Sequence, residues 1–237
     1  MSEQKIVDVA VGVLIREDGR VLLASRPAGK PYAGYWEFPG GKLEEGETVH
    51  AALVRELKEE LDIALADSFP WFVKEHRYEH AHVRLHFRRS HDFVGWPKAV
   101  EGQEFGFYAP KERLPGLLLP VDEAILNRVD LPEVWEDDVD QLTLSRNGLH
   151  AQIVRDRSHR FVGARVENLN DVLKAVAMDY DYVITRPEHF ESLLVNGEAR
   201  LPIYVEGVPA TGLRLWQDKG AHLSLIHISE PTRLRRI

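Results

Sequence analysis

The chain has 237 residues, 44% of them hydrophobic, and a formal net charge of −8. That length carries one large domain or two ordinary ones. The acidic balance argues against a broad electrostatic grip on a nucleic-acid polymer or an anionic membrane, since both need clustered Lys and Arg. There is no cysteine, which excludes a disulfide framework, a thiolate nucleophile and a thiolate zinc site. Met1-Ser2-Glu3-Gln4-Lys5 lacks the basic stretch and apolar run of a secretory signal, and no later stretch reaches membrane-spanning length, so a cytoplasmic protein is expected.

In chain order, Val7, Val9, Val11, Val13 and Ile15 alternate with other residues, Glu17-Asp18-Gly19-Arg20 supplies turn chemistry, and Val21-Leu22-Leu23 follows. This pattern predicts a β-hairpin. From Thr48 to Leu61 the period changes, with Val49, Leu53 and Leu57 at i, i+4 and Thr48 placed as N-cap of an amphipathic helix. Strands are expected at about 71–78, 83–93 and 105–108, and a short helix at about 122–129. The order β-β-α-β-β-β-α is mixed rather than a strict βαβ alternation. An acidic run, Glu133, Glu136, Asp137, Asp138 and Asp140, then marks a domain boundary. Beyond it strand and helix patterns alternate: a strand at 161–166, a helix at 168–178, a strand at 182–185, a helix near 188–195, a strand at 203–208 and a helix near 211–219. Such βα units imply parallel strands.

The chemistry concentrates between Gly40 and Ile63. On a helix of 3.6 residues per turn Glu56 and Glu60 lie one turn apart with Glu59 beside them, so three carboxylates are expected to converge. Like charges held that close repel unless cations occupy the cluster. Hard oxygen ligands of this kind suit magnesium or manganese. Arg55 is spaced to pair with Glu59 at i+4, leaving Glu56 and Glu60 for metal. Taken alone, such a helix also reads as a solvated charged face.

The wider pattern decides between these readings. Gly41, Glu47, Arg55, Glu56, Leu57, Glu59, Glu60 and Ile63 match, in register, the box G-x5-E-x7-R-E-U-x-E-E-x-G-U of the Nudix hydrolases, where U is a bulky aliphatic residue. Only Asp62, in place of the family's last glycine, departs. Aspartate tolerates left-handed backbone better than most side chains, so helix termination is what this departure touches. The resemblance covers about residues 5–130 and runs closest to the MutT-type members, which remove 8-oxo-dGTP from the nucleotide pool and so avoid mutation. It implies an α+β Nudix fold within the broad α/β class, a mixed β-sheet sandwiched by helices.

It also implies residue roles. Glu37-Phe38-Pro39-Gly40-Gly41-Lys42 is similar to the segment that leads into the MutT-type box, where Glu37, Phe38 and Pro39 would border the nucleoside and the Gly40 carbonyl would ligate metal. Arg26 matches an arginine that contacts nucleotide, and Glu101, in Glu101-Gly102-Gln103, matches a glutamate that reaches the metal site. Asp122 stands where MutT-type enzymes read the oxidised purine with asparagine. Glu56 is then principal ligand or base, Glu60 a ligand, and Glu59 and Glu101 supporting ligands or base. Magnesium or manganese, together with Lys42, would offset charge as water attacks a bridging phosphorus, giving nucleoside monophosphate and pyrophosphate. The partner implied is a small nucleotide, neither a nucleic-acid polymer nor a membrane.

Plainer readings stand beside these roles. Asp122 either meets the base or caps the following helix, and as an ionised group it only accepts hydrogen bonds. Phe38 is either a pocket wall or a core aromatic, and Arg26 either a nucleotide contact or a strand-end charge. His76, His80, His82, His86 and His91 fall near one another, but ligands along a strand face diverge and no thiolate supports a closed zinc site. A strand beside the pocket, with Arg84 on the same face as His80, His82 and His86, is expected instead. Other substrates keep the same chemistry: a dinucleotide, a nucleoside-diphosphate sugar or an undamaged triphosphate. A nucleotide sensor without turnover is the remaining alternative.

The boundary separates a Nudix domain, 1–132, from a second domain, 133–222. In the latter, Gly148-Leu149-His150, Phe161-Val162-Gly163-Ala164, Asp181-Tyr182-Val183-Ile184 and Leu201-Pro202-Ile203-Tyr204-Val205 resemble strands of thiamine-phosphate-synthase-like barrels. The segment is far short of the ~200 residues of a complete (β/α)₈ barrel, so a partial βα-barrel-like domain is expected. Arg186-Pro187-Glu188-His189 replaces that family's Ser/Thr-rich phosphate loop, and only Gly207 remains of its glycine pair, which implies an accessory role without thiamine chemistry. Residues 223–237 resemble a peptide produced when sequencing-adapter DNA is translated, with the natural carboxyl terminus expected elsewhere, and are set apart from the fold.

Overall fold

In the computed structural model the described residues are 5–79, 81–131, 134–135, 142–146, 149–155, 160–208 and 212–225. The chain forms two compact units, Met1–Leu131 and Pro132–Ile237. The acidic residues Glu133, Glu136, Asp137, Asp138 and Asp140, with His80, Gly148, Thr211 and residues 226–237, lie outside the described set.

The first unit contains β1 (Ile6–Leu14), β2 (Val21–Ser25), β3 (Trp36–Glu37), β4 (Gly40–Lys42), α1 (Val49–Leu61), β5 (Ala64–Leu65), β6 (Phe69–Arg77), β7 (His82–Ser90), β8 (Phe93–Val94), β9 (Phe105–Tyr108) and α2 (Pro120–Val129). One sheet runs β4-β1-β7-β6, parallel between β1 and β7 and antiparallel elsewhere; a second runs β3-β2-β9; β5 and β8 form a short pair. The mixed sheets and helices expected of an α+β Nudix fold are therefore present. The hairpin expected between β1 and β2 does not form as a ladder. The strands share only the Ile15–Val21 bridge around the turn and then diverge into separate sheets.

Helix α1 forms where its apolar spacing requires. Thr48 caps it, its Oγ1 accepting from the Ala51 amide at 3.1 Å. Ala52, Leu53, Leu57 and Leu61 are buried against Ala10 and Leu14 of β1, Leu22 of β2, Ile63 and Leu65. Truncating Leu53 or Leu57 to alanine would cost ~2–5 kcal/mol. At the far end Asp62 adopts the left-handed conformation, φ 54° and ψ 31°, and its amide donates to the carbonyls of Leu57 and Lys58. Aspartate thus closes the helix where glycine is usual.

In the second unit one sheet runs β10 (Val134–Trp135), β16 (Leu223–Leu225), β15 (Ile203–Glu206), β14 (Tyr182–Thr185), β13 (Arg160–Arg165), β12 (Leu149–Arg155) and β11 (Leu142–Arg146). The expected parallel strands are β13, β14 and β15, and β16 extends the parallel set by one strand that the sequence did not indicate; α3 (Leu169–Ala177), a 3-10 turn over Pro187–Leu193 in place of the expected helix, and α4 (Leu213–Asp218) join them. Strands β11, β12 and β13 form an antiparallel meander instead. Leu223–Leu225, within the segment set apart by its sequence, pair with β15 and β10. Gly163 is demanded by packing, because a Cβ there would lie 2.2 Å from the Tyr182 ring.

Candidate active site

A cavity of about 540 Å³ opens in the first unit, and its two ends differ chemically. Gly40, Gly41, Lys42, Glu56, Glu60 and Lys30 line one part; Arg26, Glu37, Phe38, Tyr32, Tyr78 and Asp122 line another.

Two glycines create the first part. Gly40 has φ 154°, and a Cβ on it would stand 2.0 Å from the Ala10 carbonyl oxygen, so only glycine lets β4 lie against β1. A Cβ on Gly41 would lie 2.0 Å from Cδ of Glu56, which means that the Glu56 carboxylate rests against bare backbone. Arg55 fixes that carboxylate from the other side. Its Nη1 donates to Glu56 at 2.9 Å, while Nε and Nη2 grip Glu47 at 3.0 and 2.9 Å and Nη2 also reaches the Lys42 carbonyl at 3.0 Å. The guanidinium fork matches the Glu47 carboxylate with two parallel bonds, a stronger arrangement than one contact. Arg55 therefore serves Glu47 first, and its contact with the expected partner Glu59 is a single one at 3.4 Å. Its hydrogen bonds hold the Glu47 carboxyl below the usual range.

The three helix carboxylates do not converge as expected. Glu59 is 61% exposed and does not line the cavity, because the 100° step per residue turns it out toward Arg55 and solvent. Glu56 and Glu60 face inward. Among the described residues no group of three or more His, Asp or Glu side chains is arranged to hold a metal ion. What joins Glu60 to Glu101 is Lys30, whose ammonium donates to Glu101 at 2.8 Å and lies 3.5 Å from Glu60. Burial pushes the Glu60 carboxyl up to about 7, with Lys30 opposing the rise and the charges of Glu101, Glu56 and Glu37 adding to it. Burial pulls the Lys30 ammonium down, but Glu101 and Glu60 outweigh it and leave it raised. An acidic site whose cationic partner is a lysine between two carboxylates has the donor chemistry for a hard divalent cation.

The other part of the cavity is built from buried carboxyls. The Trp36 amide donates to the Leu117 carbonyl at 2.7 Å and the Leu119 amide to the Trp36 carbonyl at 2.9 Å, which brings the start of α2 against β3. Asp122 is thereby 5% exposed beside Phe38, whose amide donates to its carboxyl. Asp122 does not cap α2: the N-cap is Leu119, without a side-chain bond, and Asp122 sits inside the first turn. Burial drives its carboxyl well above the ordinary range and the Glu37 charge adds to this, against the Phe38 amide and Arg26. Burial also raises Glu37, opposed by Arg26, which forms an ion pair with it and donates from Nε to the Pro31 carbonyl at 2.7 Å. Arg26 is thus a cavity residue as well as a strand-end charge. Phe38 is both pocket wall and buried aromatic, at 3% exposure. Burial raises the Tyr78 phenol, reinforced by Asp122 and Glu37.

Pro39 lines the adjoining small pocket with Gly40, Glu60, Glu101 and Gln103, and its carbonyl accepts from Gly12 at 2.8 Å. Arg84 is misplaced by the sequence pattern. It pairs with Glu75 at 3.1 Å and Asp8 at 3.5 Å, whereas the residues of β7 that line the cavity are Val83 and Leu85. Alternation fixes two faces of a strand but not which one meets the pocket. His82 and His86 share the Arg84 face, with His86 bonded to Asp8 at 2.8 Å. Lys30, Tyr32, Tyr78 and Gln103 were not singled out from the sequence. Gln103 was readable in part, as the end of the Glu101-Gly102-Gln103 tripeptide, whereas no spacing pointed to the other three.

Comparison with known proteins places these features in a family. Residues 6–139 match the model for the NUDIX domain. A CTP pyrophosphohydrolase of Escherichia coli K12 is 40% identical over 124 residues, 52% of this chain and 90% of that protein. An 8-oxo-dGTP diphosphatase of Haemophilus influenzae is 33% identical over 128 residues, 54% of this chain and 93% of that protein. Among solved structures, a MutT protein from Methanosarcina mazei Go1 shares the fold, with TM-score 0.50 and 22% identity over 55% of this chain and 97% of the other.

Proposed function

Because the chain belongs to the Nudix family of pyrophosphohydrolases, we propose that its first unit hydrolyses a nucleoside triphosphate with a damaged base, 8-oxo-dGTP foremost, to the monophosphate and pyrophosphate. The observation that carries this is one cavity with inward carboxylates Glu56 and Glu60 in one part and the hydrogen-bonding groups of buried Asp122 and half-buried Glu37 in another. A chain of phosphates in the first part and a base in the second suits that division.

Glu56, Glu60 and Glu101, with the Gly40 carbonyl, would hold magnesium, or manganese in its place; the metal would neutralise phosphate charge and lower the pKa of a bound water. Glu56, clamped by Arg55, is the best-positioned of these groups. Lys42, at the same part of the cavity, would meet developing negative charge. Glu59 supports from outside, through Arg55.

At the base, a buried Asp122 that keeps its proton offers one donor and one acceptor, the pair that asparagine offers. This supports reading of 8-oxoguanine despite the substitution. A second reading, an undamaged pyrimidine triphosphate, draws on the same substitution and on the name of the Escherichia coli CTP pyrophosphohydrolase. Pyrophosphate release from 8-oxo-dGTP, dGTP, CTP and a nucleoside-diphosphate sugar, with magnesium, separates them. Equal kcat/KM for 8-oxo-dGTP and dGTP would refute the damaged-base reading.

A further inference from the structure

Lys30 has no counterpart in the Nudix box, yet it is the cation at the centre of the carboxylates. Its ammonium takes 2.8 Å from Glu101 and 3.5 Å from Glu60, residues contributed by a loop before β9 and by α1. The backbone spacing of these two glutamates does not depend on Lys30. Gln103 sets it, accepting from the Glu101 amide at 2.9 Å and donating to the Glu60 carbonyl at 2.9 Å. Lys30 enters from elsewhere, on a loop closed at its base by Arg26 and Tyr35, amide to carbonyl at 2.8 Å, and by Gly34 and Arg26 at 2.9 Å. The backbones that carry the two carboxylates are therefore fastened together without Lys30, whose ammonium is a removable guest on a flexible stem.

An oxygen lone pair donated to a metal is not at the same time available to an ammonium N–H. We propose that Lys30 is a built-in counter-cation of the Glu60–Glu101 pair which a divalent metal must displace, so that Lys30 sets the metal concentration at which the site fills. Without metal it spares the site the repulsion of facing carboxylates. With metal bound, the freed ammonium would still border the cavity that Lys30 lines. This inference rests on the metal-dependent reading above.

The test is calorimetric titration of Mn²⁺ into the metal-stripped full chain, without nucleotide, for wild type, Lys30→Gln and Lys30→Arg. Lys30→Gln removes two weak, partly exposed ion pairs, so Mn²⁺ binding should tighten roughly two- to thirtyfold, with Lys30→Arg close to wild type. The rise in melting temperature on adding Mn²⁺ should also be larger for Lys30→Gln, by an increment that follows the logarithm of the affinity ratio. Equal Kd values for wild type and Lys30→Gln would overturn the role of Lys30 and leave the metal reading standing. Absence of Mn²⁺ binding at millimolar concentration in all three would overturn both.

Discussion

Substituting alanine for Gly41 disturbs the site by a calculable amount. The new Cβ would start 2.0 Å from Cδ and 2.1 Å from Oε1 of Glu56, whereas ordinary contact begins at 3.4 Å, so the carboxylate must retreat by about 1.4 Å. That retreat also breaks the 2.9 Å bond from Arg55. A misplacement of ~1 Å at a reacting centre costs on the order of a hundredfold in rate, so Gly41→Ala should lower kcat by about that factor. The fold should survive, because what moves is the end of a flexible side chain and Gly41, unlike Gly40, has no left-handed φ. The melting temperature should stay within about 4 °C of wild type. Steady-state pyrophosphate release and a thermal melt on one preparation decide the matter. A kcat within threefold of wild type would refute the placement of Glu56 at the reacting centre, and a collapse in melting temperature would assign the loss to the fold.

Three further outcomes are expected. Burial lifts the Glu60 carboxyl to about 7 in the folded chain, against 4.5 for an unperturbed glutamate, so its contribution to stability is complete below pH 4.5 and is lost as pH rises through 7. Metal-free Glu60→Gln should match wild type in melting temperature at pH 4 and exceed it at pH 8; a wild-type advantage at pH 8 would contradict the shift. Asp122→Asn keeps shape and hydrogen-bonding capacity if Asp122 is neutral, so kcat/KM for 8-oxo-dGTP should stay within about threefold of wild type. A hundredfold loss, ~2.7 kcal/mol, would show that the ionised form does the reading. Asp62→Gly relieves a left-handed aspartate but loses its exposed ion pairs with Lys58 and Lys98. Its urea midpoint of unfolding should stay close to that of wild type, and a clearly lower midpoint would mean that the cap depends on the aspartate side chain.

Features governed by local rules were legible in the sequence. The Thr48 cap, the buried Leu53–Leu57 face and the closure at Asp62 follow from contacts within a few residues, whereas the box spacing marked Gly41 and Glu56 without showing that they touch. Features set by long-range packing were less so. The two- and three-residue strands β3, β4, β5 and β8 are too short to show a period. β1 and β2 separate because each finds a longer ladder elsewhere, β1 with β7 and β2 with β9. Arg84 fell on the wrong face because alternation is silent about which face meets a cavity. Arg55 chose Glu47 over Glu59 because a turn brings Glu47 against the Nε–Nη2 edge of its guanidinium, a geometry that i+4 counting omits. Lys30 left no trace in the sequence, since its role depends on a loop fold and on Glu101, 71 residues away.

The central claim is that the carboxylate part of the cavity cuts a nucleoside triphosphate between its phosphates. The most direct measurement is product identification by ³¹P NMR with 8-oxo-dGTP and magnesium, for wild type and Glu56→Gln, a change that removes charge but little volume. Pyrophosphate and 8-oxo-dGMP should accumulate with wild type, and the rate should fall by about a hundredfold or more in the variant. Orthophosphate as product, or a variant within a few-fold of wild type, would contradict the account.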